Sequence, residues 1–385
     1  MSRPLNVLEI RSVRGTGGGP EKTILVGAAQ ADTSRYRVTV CYIRDTRDDV
    51  FGIDERAATL NVDYVEILER HSLDLSVWPA LRRLVHERQI DIVHSHEYKT
   101  DLLAYLLHRW DGIGVVATAH GWTGHSAKER RLYYPADKRL LARFPRLIAV
   151  SSEIRHELLR YGASPDSTTV VLNGIDHRAC FRDSAKEQPS RTAWGVRPGE
   201  IVIGAVGRLE PQKRFDALID VFARLYATRP SLRLLVAGEG SLRTTLEQQL
   251  RARGLANVGR LVGHVHDVGA FHHALDYFVQ SSDYEGTPNA VLEAMAFETP
   301  LVATSAGGTA ELVANGVHGL VVPVNDSEAL MAALDDSLRG MEQARRRASH
   351  ARRRVESELS FEARMRAVEA IYDELMSRQK RPVAA

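Results

Sequence analysis

Short runs of apolar, mostly β-branched residues alternate with longer amphipathic stretches along the whole chain. Runs of this kind are typical of strands buried on both faces, and the stretches between them are typical of helices. In the first half, strands are predicted at 5–10, 37–43, 64–68, 92–94, 114–119, 147–150 and 169–172. Helices are predicted between them, for example at 77–88 and at 152–161 with Ser152 as N-cap. This alternation predicts a parallel sheet covered by helices on both faces.

The alternation stops near Asn173 and starts again at Ile201. The polar, proline-containing stretch between them is therefore predicted to be a linker. A last amphipathic helix is expected at 361–376, with Ser360 as its cap and a frayed tail after Arg378. Strands beyond the linker are predicted at 201–206, 233–237, 277–280, 301–303 and 319–322.

Two α/β domains in tandem follow from this pattern. We predict a first Rossmann-like domain over 1–177, the linker over 178–200, a second Rossmann-like domain over 201–358, and a helix and tail over 359–385. Doubly wound sheets bind ligands at the carboxyl ends of their strands. We therefore expect two doubly wound sheets facing an interdomain cleft, an arrangement that suits a reaction between two substrates.

Composition and charge narrow the classes of function. The 385 residues are 44% hydrophobic and 26% charged, which is enough apolar material for two buried cores. The formal net charge is +2, so no nucleic-acid partner is expected. Cys41 and Cys180 lie too far apart in sequence for a metal motif, and such scarcity fits a reducing compartment. We found neither a secretory leader nor a run of roughly 18 apolar residues, so we expect a cytoplasmic protein.

A glycine and two cations follow the predicted strand 201–206. Gly207 lets a ligand approach the backbone at the end of the strand. Arg208 and Lys213 place two positive charges at the rim of the sheet, where a diphosphate would bind. The alternative interpretation is a solvated loop with ordinary surface charges.

Two carboxylates flank a predicted helix start after the strand 277–280. Thr287 is predicted to be the N-cap and Pro288 the first helical residue. Glu285 precedes the helix and Glu293 lies about one and a half turns into it. One carboxylate could hold sugar hydroxyls and the other a ribose. The backbone N–H groups expected to bind an anion here belong to Asn289, Ala290 and Val291.

The order and spacing of these elements resemble the retaining family-4 glycosyltransferases of GT-B architecture, also called glycosyl transferases group 1. The resemblance covers 201 to about 330 closely and the N-terminal half more loosely. It is carried by Gly207-Arg208-Leu209 with Lys213, the turn Gly238-Glu239-Gly240, Glu285 and Glu293 separated by seven residues, Gly307-Gly308, and Gly319-Leu320-Val321-Val322-Pro323.

The resemblance implies a role for each position. Arg208 and Lys213 would bind the donor diphosphate. Glu293 would bind the ribose hydroxyls and Glu285 the donor sugar. Val265 would face the nucleobase. The residues expected around the phosphate and sugar are Gly207, Asn289, Ala290 and Val291.

A glycine-rich loop, residues 14–19, follows the first strand. The dinucleotide-binding pattern of three glycines fails because Pro20 stands where the third should be, which disfavours a dehydrogenase. Pro20 instead suits a first helical turn. The resemblance implies that Gly17 and Gly18 contact the donor, although Pro20 departs from the commoner family pattern of two glycines, one residue and Glu.

Histidines end two strands of the first half. His120 follows the strand 114–119, and the resemblance makes it a donor-sugar contact important for catalysis. The alternative is a structural histidine. His94 and His96 end the preceding strand, and His96 is predicted to line the acceptor site. No metal site is expected from His264, His266, His272 and His273, because no Asp/Cys set completes one.

Two segments are strongly basic. Residues 128–146 carry seven Lys/Arg against two acids, near Trp122, Tyr133 and Tyr134, and residues 339–354 carry seven Arg against one acid. A solvated helix face explains either segment. The first lies in the domain expected to bind the acceptor, so it could also rest on anionic lipid as a peripheral membrane contact at the inner face of the membrane.

The sequence therefore predicts a retaining, metal-independent hexosyltransferase acting in cell-envelope or exopolysaccharide synthesis. Its donor would be a UDP-, GDP- or ADP-sugar, its acceptor a glycan or a lipid-linked glycan, and it would need no cofactor. No nucleophile stands out, so a front-face route assisted by the leaving phosphate is the hypothesis. A nucleotide-sugar 2-epimerase, disfavoured by the Glu285/Glu293 spacing, and a non-catalytic nucleotide-sugar-binding protein are the alternatives.

Overall fold

The computed structural model describes residues 3–15, 17–122 and 128–379, and the chain forms two compact units. The first unit comprises Met1–Asn173 and Phe361–Ala385, and the second comprises Gly174–Ser360. Both are α/β structures built on a parallel sheet, as predicted. The tail expected after Arg378 falls almost wholly outside the described residues.

The first unit contains a seven-stranded sheet in the described residues, with strand order β3-β2-β1-β4-β5-β6-β7. Every pairing in it is parallel. The strands are β1 (Leu5–Ser12), β2 (Tyr36–Asp45), β3 (Asp63–Glu69), β4 (Ile92–Ser95), β5 (Gly114–Ala119), β6 (Arg146–Ala149) and β7 (Thr168–Val170). The helices are α1 (Gly19–Ala29), α2 (Ile53–Thr59), α3 (Val77–Glu87), α4 (Tyr98–Asp111), α5 (Tyr134–Leu141), α6 (Ser152–Arg160) and the last helix of the chain, α15 (Phe361–Gln379).

The second unit contains a six-stranded parallel sheet in the order β10-β9-β8-β11-β12-β13, counted over the described residues. The strands are β8 (Ile201–Val206), β9 (Leu232–Ala237), β10 (Gly259–Gly263), β11 (Tyr277–Gln280), β12 (Leu301–Thr304) and β13 (Leu320–Val322). The helices are α7 (Ser184–Ala193), α8 (Phe215–Tyr226), α9 (Arg243–Ala252), α10 (Val268–Ala274), α11 (Asn289–Ala296), α12 (Thr309–Leu312), α13 (Ser327–Arg339) and α14 (Met341–Ser357).

Helix α15 covers one face of the first sheet. Its residues Val368, Ile371, Tyr372 and Leu375 follow helical spacing and pack with Val7, Ile92, Val116 and Ile148 of four neighbouring strands. The apolar stripe that predicted this helix therefore returns the chain to the first unit. Its burial explains why the C-terminal segment groups with residues 1–173.

The prediction that residues 178–200 form a linker is wrong. Residues 178–200 contain helix α7, which belongs to the second unit and lies on α10. Trp194, just after α7, meets Phe271 of α10 edge to face at 5.6 Å, and Arg191 binds Asp276 at 2.9 Å. The stretch looked like a linker because a surface helix anchored by arginines and one aromatic ring is mostly polar.

Two smaller differences concern element boundaries. Strand β10 was not predicted, because it is a short edge strand bounded by Gly259 and Gly263. The N-cap of α6 is Ser151, one residue before the predicted Ser152, and its hydroxyl accepts from the Ile154 N–H. Within the described ranges, no helix combines the length and apolar character needed to cross a bilayer.

Candidate active-site residues

Lys213 and Glu285 form an ion pair at the carboxyl end of the second sheet. Lys213 Nζ donates to Glu285 Oε1 at 2.5 Å, and their side chains are only 16% and 10% exposed. Ser282 Oγ donates to the same oxygen at 2.6 Å. The two loops meet because they follow β8 and β11, which are paired parallel strands. The predicted phosphate-binding cation thus contacts the predicted sugar-binding carboxylate directly.

Further bonds hold these two loops together. Ser281 Oγ donates to the Lys213 carbonyl at 2.8 Å, and the Asp283 N–H donates to the Gln212 carbonyl at 2.9 Å. Arg214, at a positive φ of 50°, binds Asp283 at 3.1 Å. The position of the Lys213–Glu285 pair is therefore fixed by backbone as well as side-chain contacts.

Arg208 stands apart from this network. It is exposed, and its side chain makes no hydrogen bond or ion pair with any residue that the structure describes. The backbone beneath it is rigid, because the Leu209 N–H donates to the Glu239 carbonyl at 2.8 Å. A Cβ at Gly238, where φ is 140°, would lie 1.8 Å from the Gly207 oxygen. Only glycine at position 238 allows the two backbones to approach so closely. The unpaired guanidinium of Arg208 is therefore carried by a loop whose backbone position is fixed.

The helix start predicted after β11 is present with a shift of one residue. Helix α11 begins at Asn289, and its N-cap is Pro288 rather than Thr287. Glu293 is buried within the helix, whereas Asn289 and Ala290 are partly exposed and Val291 is buried. The start of α11 lies four residues beyond Glu285 in the same connection from β11. The Val291 N–H does not have the setting predicted for an anion-binding group, because it donates to the Pro288 carbonyl at 3.1 Å.

The loop after β12 lies against Glu285. The Gly308 N–H donates to the Gly286 carbonyl at 2.7 Å, and Gly307 has a φ of 52°. A Cβ at Gly307 would lie 1.8 Å from the Glu285 carbonyl oxygen. Gly307, singled out from the sequence together with Gly308, thus lets this loop reach the backbone that carries Glu285.

The loop after β10 carries Val265, which is partly exposed and precedes α10. It is tied to the Gly238 turn, because the Gly238 N–H donates to the Gly263 carbonyl at 2.8 Å. The neighbouring His264 and His266 rings meet edge to face at 4.7 Å. His272 and His273 are buried in α10 instead. Within the described residues, these four histidines form no group of three metal ligands.

In the first unit, three side chains form a hydrogen-bonded row across β1, β4 and β5: Glu9 lies within β1, and His96 and His120 directly follow β4 and β5. Glu9 Oε2 contacts His96 Nε2, and His96 Nδ1 lies 3.0 Å from His120 Nε2. Glu9 and His96 are buried, whereas His120 is partly exposed. His96 does not have the setting expected of an acceptor-site residue, because both of its ring nitrogens are engaged inside the unit.

A second row of hydrogen bonds involves the other carboxylate oxygen of Glu9, Oε1. Tyr372 of α15 donates its hydroxyl to Glu9 Oε1 at 2.9 Å and lies 2.6 Å from His94 Nδ1. His94 Nε2 lies 2.7 Å from the Thr118 hydroxyl. Glu9 and Tyr372 were not singled out from the sequence. A glutamate inside an otherwise apolar strand was the available signal.

Burial and neighbouring groups set the charges of this cluster. Burial disfavours a charged carboxylate, but His94 and His96 outweigh it and hold the pKa of Glu9 well below its usual range. Burial lowers the pKa of His96 to about 4 and that of His120 well below its usual range. At neutral pH the row therefore holds an ionised Glu9 and two neutral imidazoles.

Glu9, His94 and His96 also have the donor types of a metal site, with ligand atoms within 4.8 Å of one another. Each of these atoms already has a hydrogen-bond partner in the cluster, and Glu9 contacts His96 directly. A metal ion could bind here only if these hydrogen bonds were broken. The arrangement therefore fits a hydrogen-bond network better than a metal site.

The glycine-rich loop is fastened to the same cluster. Pro20 lies in the first turn of α1, as predicted. The Gly18 N–H donates to Glu21 Oε2 at 2.5 Å, and Arg11 Nε donates to Glu21 Oε1 at 2.5 Å. Arg11 also donates to the His96 carbonyl at 2.7 Å. Gly17 has a φ of 70°, whereas Thr16 lies outside the described residues.

Two buried carboxyl groups lie between α4 and α5. Ser95 Oγ donates to Asp101 Oδ1 at 2.5 Å, and Trp122 Nε1 donates to Asp137 Oδ2 at 3.0 Å. Burial, with Asp137 beside it, raises the pKa of Asp101 well above its usual range, and burial also raises the pKa of Asp137. A proton held by the folded state and released by the unfolded state stabilises the fold at low pH, and that contribution is lost as the pH rises through the raised pKa.

Asp101→Asn is therefore expected to raise the unfolding midpoint most at high pH. Asparagine keeps the acceptor for Ser95 and offers Asp137 an N–H donor without a titratable proton. We expect a gain of about 2–4 °C at pH 8, which corresponds to roughly 1 kcal/mol, and a smaller gain at pH 5. Thermal unfolding across this range measures it. Asp336→Asn, at an exposed position of α13, is the matched control, and an equal gain at both pH values would contradict the explanation.

The second basic segment, in α14, has structural contacts. Arg352 donates to the carbonyls of Cys180 and Ala296 at 2.6 and 2.8 Å, and Arg354 donates to that of Leu312 at 3.0 Å. These arginines bind backbone oxygens within the second unit. Part of the positive charge of residues 339–354 thus stabilises the fold.

Comparisons with known proteins agree with this geometry. Residues 186–354 match the family model described as glycosyl transferases group 1, and residues 17–179 match the model of glycosyltransferase family 4. The chain is 31% identical over 342 residues to a glycogen synthase of Mycobacterium tuberculosis, a match covering 86% of this chain and 78% of the relative. It is 28% identical over 271 residues to the UDP-Gal:alpha-D-GlcNAc-diphosphoundecaprenol alpha-1,3-galactosyltransferase of Escherichia coli, covering 68% and 70%.

Solved structures show the same fold. The crystal structure of Anabaena Alr3699/HepE in complex with UDP and glucose superimposes with a TM-score of 0.84 at 20% identity, covering 96% of this chain and 100% of that one. The sucrose-phosphate synthase of Thermosynechococcus elongatus superimposes with a TM-score of 0.80 at 18% identity, covering 97% and 100%. Sequence relatives, family models and fold agree. The chain belongs to the family-4 (group 1) glycosyltransferases, with the GT-B fold.

Proposed function

We propose that this glycosyltransferase moves a hexosyl group from a nucleotide-diphosphate sugar to a glycan or lipid-linked acceptor, with retention of configuration and without a catalytic metal. The observation that carries the proposal is the Lys213–Glu285 pair at 2.5 Å, with the start of α11 in the same connection. A cation and a carboxylate beside a helix N-terminus together suit a ligand that carries both phosphate and hydroxyls. The relatives named above are transferases, which favours transfer over epimerisation or simple binding.

The proposed chemistry needs no metal. Lys213 and the unpaired Arg208 would neutralise the diphosphate as the bond between the anomeric carbon and the phosphate oxygen breaks. The acceptor oxygen would form the new bond on the same face, and its proton would pass to the departing phosphate oxygen. Glu285 would hold a hydroxyl of the donor sugar and thereby orient the anomeric carbon. Glu293 would bind the ribose.

The donor and acceptor classes follow from the relatives by analogy. The HepE structure contains UDP and glucose, and the galactosyltransferase is named for a UDP donor and a diphosphoundecaprenol-linked acceptor. We therefore place UDP-hexoses first among the UDP-, GDP- and ADP-sugars. A role in polysaccharide or envelope synthesis is in line with the glycogen synthase and with the diphosphoundecaprenol-linked acceptor of the galactosyltransferase.

A donor screen by thermal unfolding tests the function. In EDTA, one class of nucleotide sugar is expected to raise the unfolding midpoint, because a ligand at 100 times its Kd stabilises by about 2.7 kcal/mol. Glu293→Ala should remove most of that shift, since it removes the proposed ribose contact. Glu342→Ala, at an exposed position of α14, is the matched control and should keep it.

Two outcomes would contradict this assignment. The first is no stabilisation by any donor with or without Mg²⁺, and the second is a full shift retained in Glu293→Ala. A shift that requires Mg²⁺ would contradict the metal-free part alone. The anomeric configuration of the product, read by NMR once an acceptor is found, decides retention.

We also propose that the first unit touches anionic lipid at the inner face of the membrane through a surface we call the tyrosine–arginine surface, formed by Tyr98, Leu102 and residues 128–133. The ring of Tyr98 stacks on that of Tyr133 at 5.6 Å. Tyr98, Leu102 and Leu132 are 38%, 49% and 56% exposed. Lys128, Arg130 and Arg131 are also exposed. Exposed apolar groups beside cations are typical of surfaces that rest on lipid headgroups.

Salt-sensitive sedimentation with phosphatidylglycerol vesicles is the expected result. Each cation near an anionic surface contributes about 1 kcal/mol, so the double variant Arg130→Glu, Arg131→Glu should weaken binding more than about tenfold. Arg339→Glu, exposed in the second unit, serves as the control. Binding that is absent at low salt, or unchanged in the double variant, would remove the membrane proposal and leave the transferase proposal intact.

A further inference from the structure

The row Glu9–His96–His120 constrains where its protons lie. Glu9 is an ionised carboxylate, so the His96 nitrogen that contacts it, Nε2, must carry a hydrogen. His96 is neutral at pH 7, so its Nδ1 has a lone pair and accepts a hydrogen bond. The donor to that lone pair is the Nε2–H of His120, 3.0 Å away.

The neutral His120 then has one nitrogen left. Because its Nε2 carries the hydrogen, its Nδ1 carries a lone pair. In the part of the chain that the structure describes, His120 Nδ1 makes no hydrogen bond, and the residue is partly exposed. A neutral histidine would otherwise be free to adopt either tautomer. Here the buried carboxylate selects one of them through the intervening ring.

The remaining contacts prevent the row from reversing. Reversal would require Glu9 to donate to His96 as a protonated acid. His94 and His96 favour the ionised form of Glu9, because they hold its pKa well below the usual range. His94 Nδ1 lies 3.2 Å from the other carboxylate oxygen, to which the Tyr372 hydroxyl also donates at 2.9 Å. The Tyr372 oxygen can in turn accept from His94 Nδ1, and the Thr118 hydroxyl can donate to His94 Nε2. This arrangement of protons gives each hydrogen bond of the cluster one donor and one acceptor.

We infer that Glu9 and His96 are positioning residues that lock His120 in its Nε2–H tautomer, so that Nδ1 presents a hydrogen-bond acceptor to a hydroxyl of the bound sugar. The inference rests on the proposed function for the identity of the ligand. It deepens that function, because His120 then selects a group that donates a hydrogen bond rather than one that accepts. An acceptor that the bound sugar covers discriminates against sugars that lack the matching hydroxyl, because it is then left without a hydrogen bond.

NMR of protein labelled with ¹⁵N at histidine tests the tautomer directly in the absence of ligand. Long-range correlations between ring nitrogens and ring hydrogens distinguish the two neutral tautomers, and loss of one spin system in His120→Gln assigns the signals. We expect the Nε2–H tautomer throughout pH 6–8. A predominant Nδ1–H tautomer, or a protonated ring at pH 6, would overturn the inference whether or not the protein proves to be a transferase.

Three variants separate positioning from a merely structural effect. His96→Phe removes the acceptor for His120 and should give a mixture of tautomers. His96→Gln can accept through its amide oxygen and donate through its amide nitrogen, so it should restore the Nε2–H form at least in part. Tyr372→Phe, the matched control, removes a hydroxyl from the same carboxylate but keeps the Glu9–His96 contact, and should leave the tautomer of His120 unchanged. An unchanged tautomer in folded His96→Phe would contradict the relay, and where that variant does not fold, the wild-type tautomer decides.

Activity provides a separate readout. With a donor that stabilises the protein, its addition should shift the His120 Nδ1 signal, and His96→Phe should raise the donor KM about tenfold or more, with recovery in His96→Gln. Equal KM values in the two variants would contradict the role in sugar binding. If no donor binds the wild type at all, the proposed function fails, whereas the tautomer result still stands or falls by itself.

Discussion

Lys213→Ala is expected to lower kcat about 10²–10³-fold, the loss typical when one charge that stabilises a transition state is removed. The side chain is 16% exposed and lies 2.5 Å from Glu285, so water replaces its charge poorly. Its removal would also leave Glu285 without its cation, and that carboxylate would then repel a diphosphate. Steady-state transfer assays with the donor identified by thermal unfolding measure the effect.

The fold of this variant needs its own measurement, because removing one partner of a buried pair costs about 3–5 kcal/mol. Unfolding midpoints and circular dichroism show whether the protein remains folded at the assay temperature. Lys186→Ala, at a lysine that is 63% exposed in the second unit, is the matched control and should retain full activity. Near-normal kcat in both Lys213→Ala and Arg208→Ala would rule out the proposed stabilisation of the leaving diphosphate.

The two sheets were predictable because buried parallel strands leave a strong signal. Strands β5 and β8 are buried on both faces, so nearly all of their residues are apolar. Both strands were therefore predicted with their observed bounds. Edge strand β10 escaped because glycines bound it and only one neighbour pairs with it. Helix α7 escaped because its attachment depends on partners such as Asp276, which is distant in sequence.

The candidate site in the second unit was predictable as a set of loops but not as a set of contacts. Parallel topology places every loop that follows a strand at the same edge, so Gly207 and Glu285 were expected near one another. The sequence does not encode which atoms meet. The direct bond between Lys213 and Glu285 depends on the hydrogen bonds that join their two loops, such as that from the Asp283 N–H to the Gln212 carbonyl.

In the histidine cluster of the first unit, single residues were predictable but the group that they form was not. His96 and His120 were noticed because each ends a strand, yet their shared partner Glu9 was overlooked inside an apolar run. Tyr372 lies 363 positions from Glu9 and reaches it only because α15 returns to the first unit. Side-chain networks of this kind need the tertiary structure, since no local pattern links their members.

Gly307→Ala is expected to lower kcat/KM by about 10²-fold, although it adds a single methyl group. A Cβ there would lie 1.8 Å from the Glu285 carbonyl oxygen, far inside van der Waals contact, at a φ of 52° that already disfavours alanine. The loop after β12 must therefore retreat, and the Gly308–Gly286 hydrogen bond of 2.7 Å must lengthen or break. A displacement of about 1 Å at a residue that positions substrate can cost 10²-fold in rate. Donor titrations measure the change in donor binding, and steady-state kinetics measure the change in kcat/KM.

Gly316→Ala separates the clash from the backbone strain. Gly316 has a φ of 78°, but no atom lies within 4 Å of the Cβ that the substitution would add. It should cost about 1–2 kcal/mol of stability and leave kcat/KM unchanged. Gly307→Ala should lose stability and activity together, and the loss of activity should exceed any effect of Gly316→Ala by at least tenfold. Equal kcat/KM values in the two variants would show that the contact of the Gly307 loop with Glu285 does not position the donor. Lys213 and Arg208 would then have to position the donor without that contact.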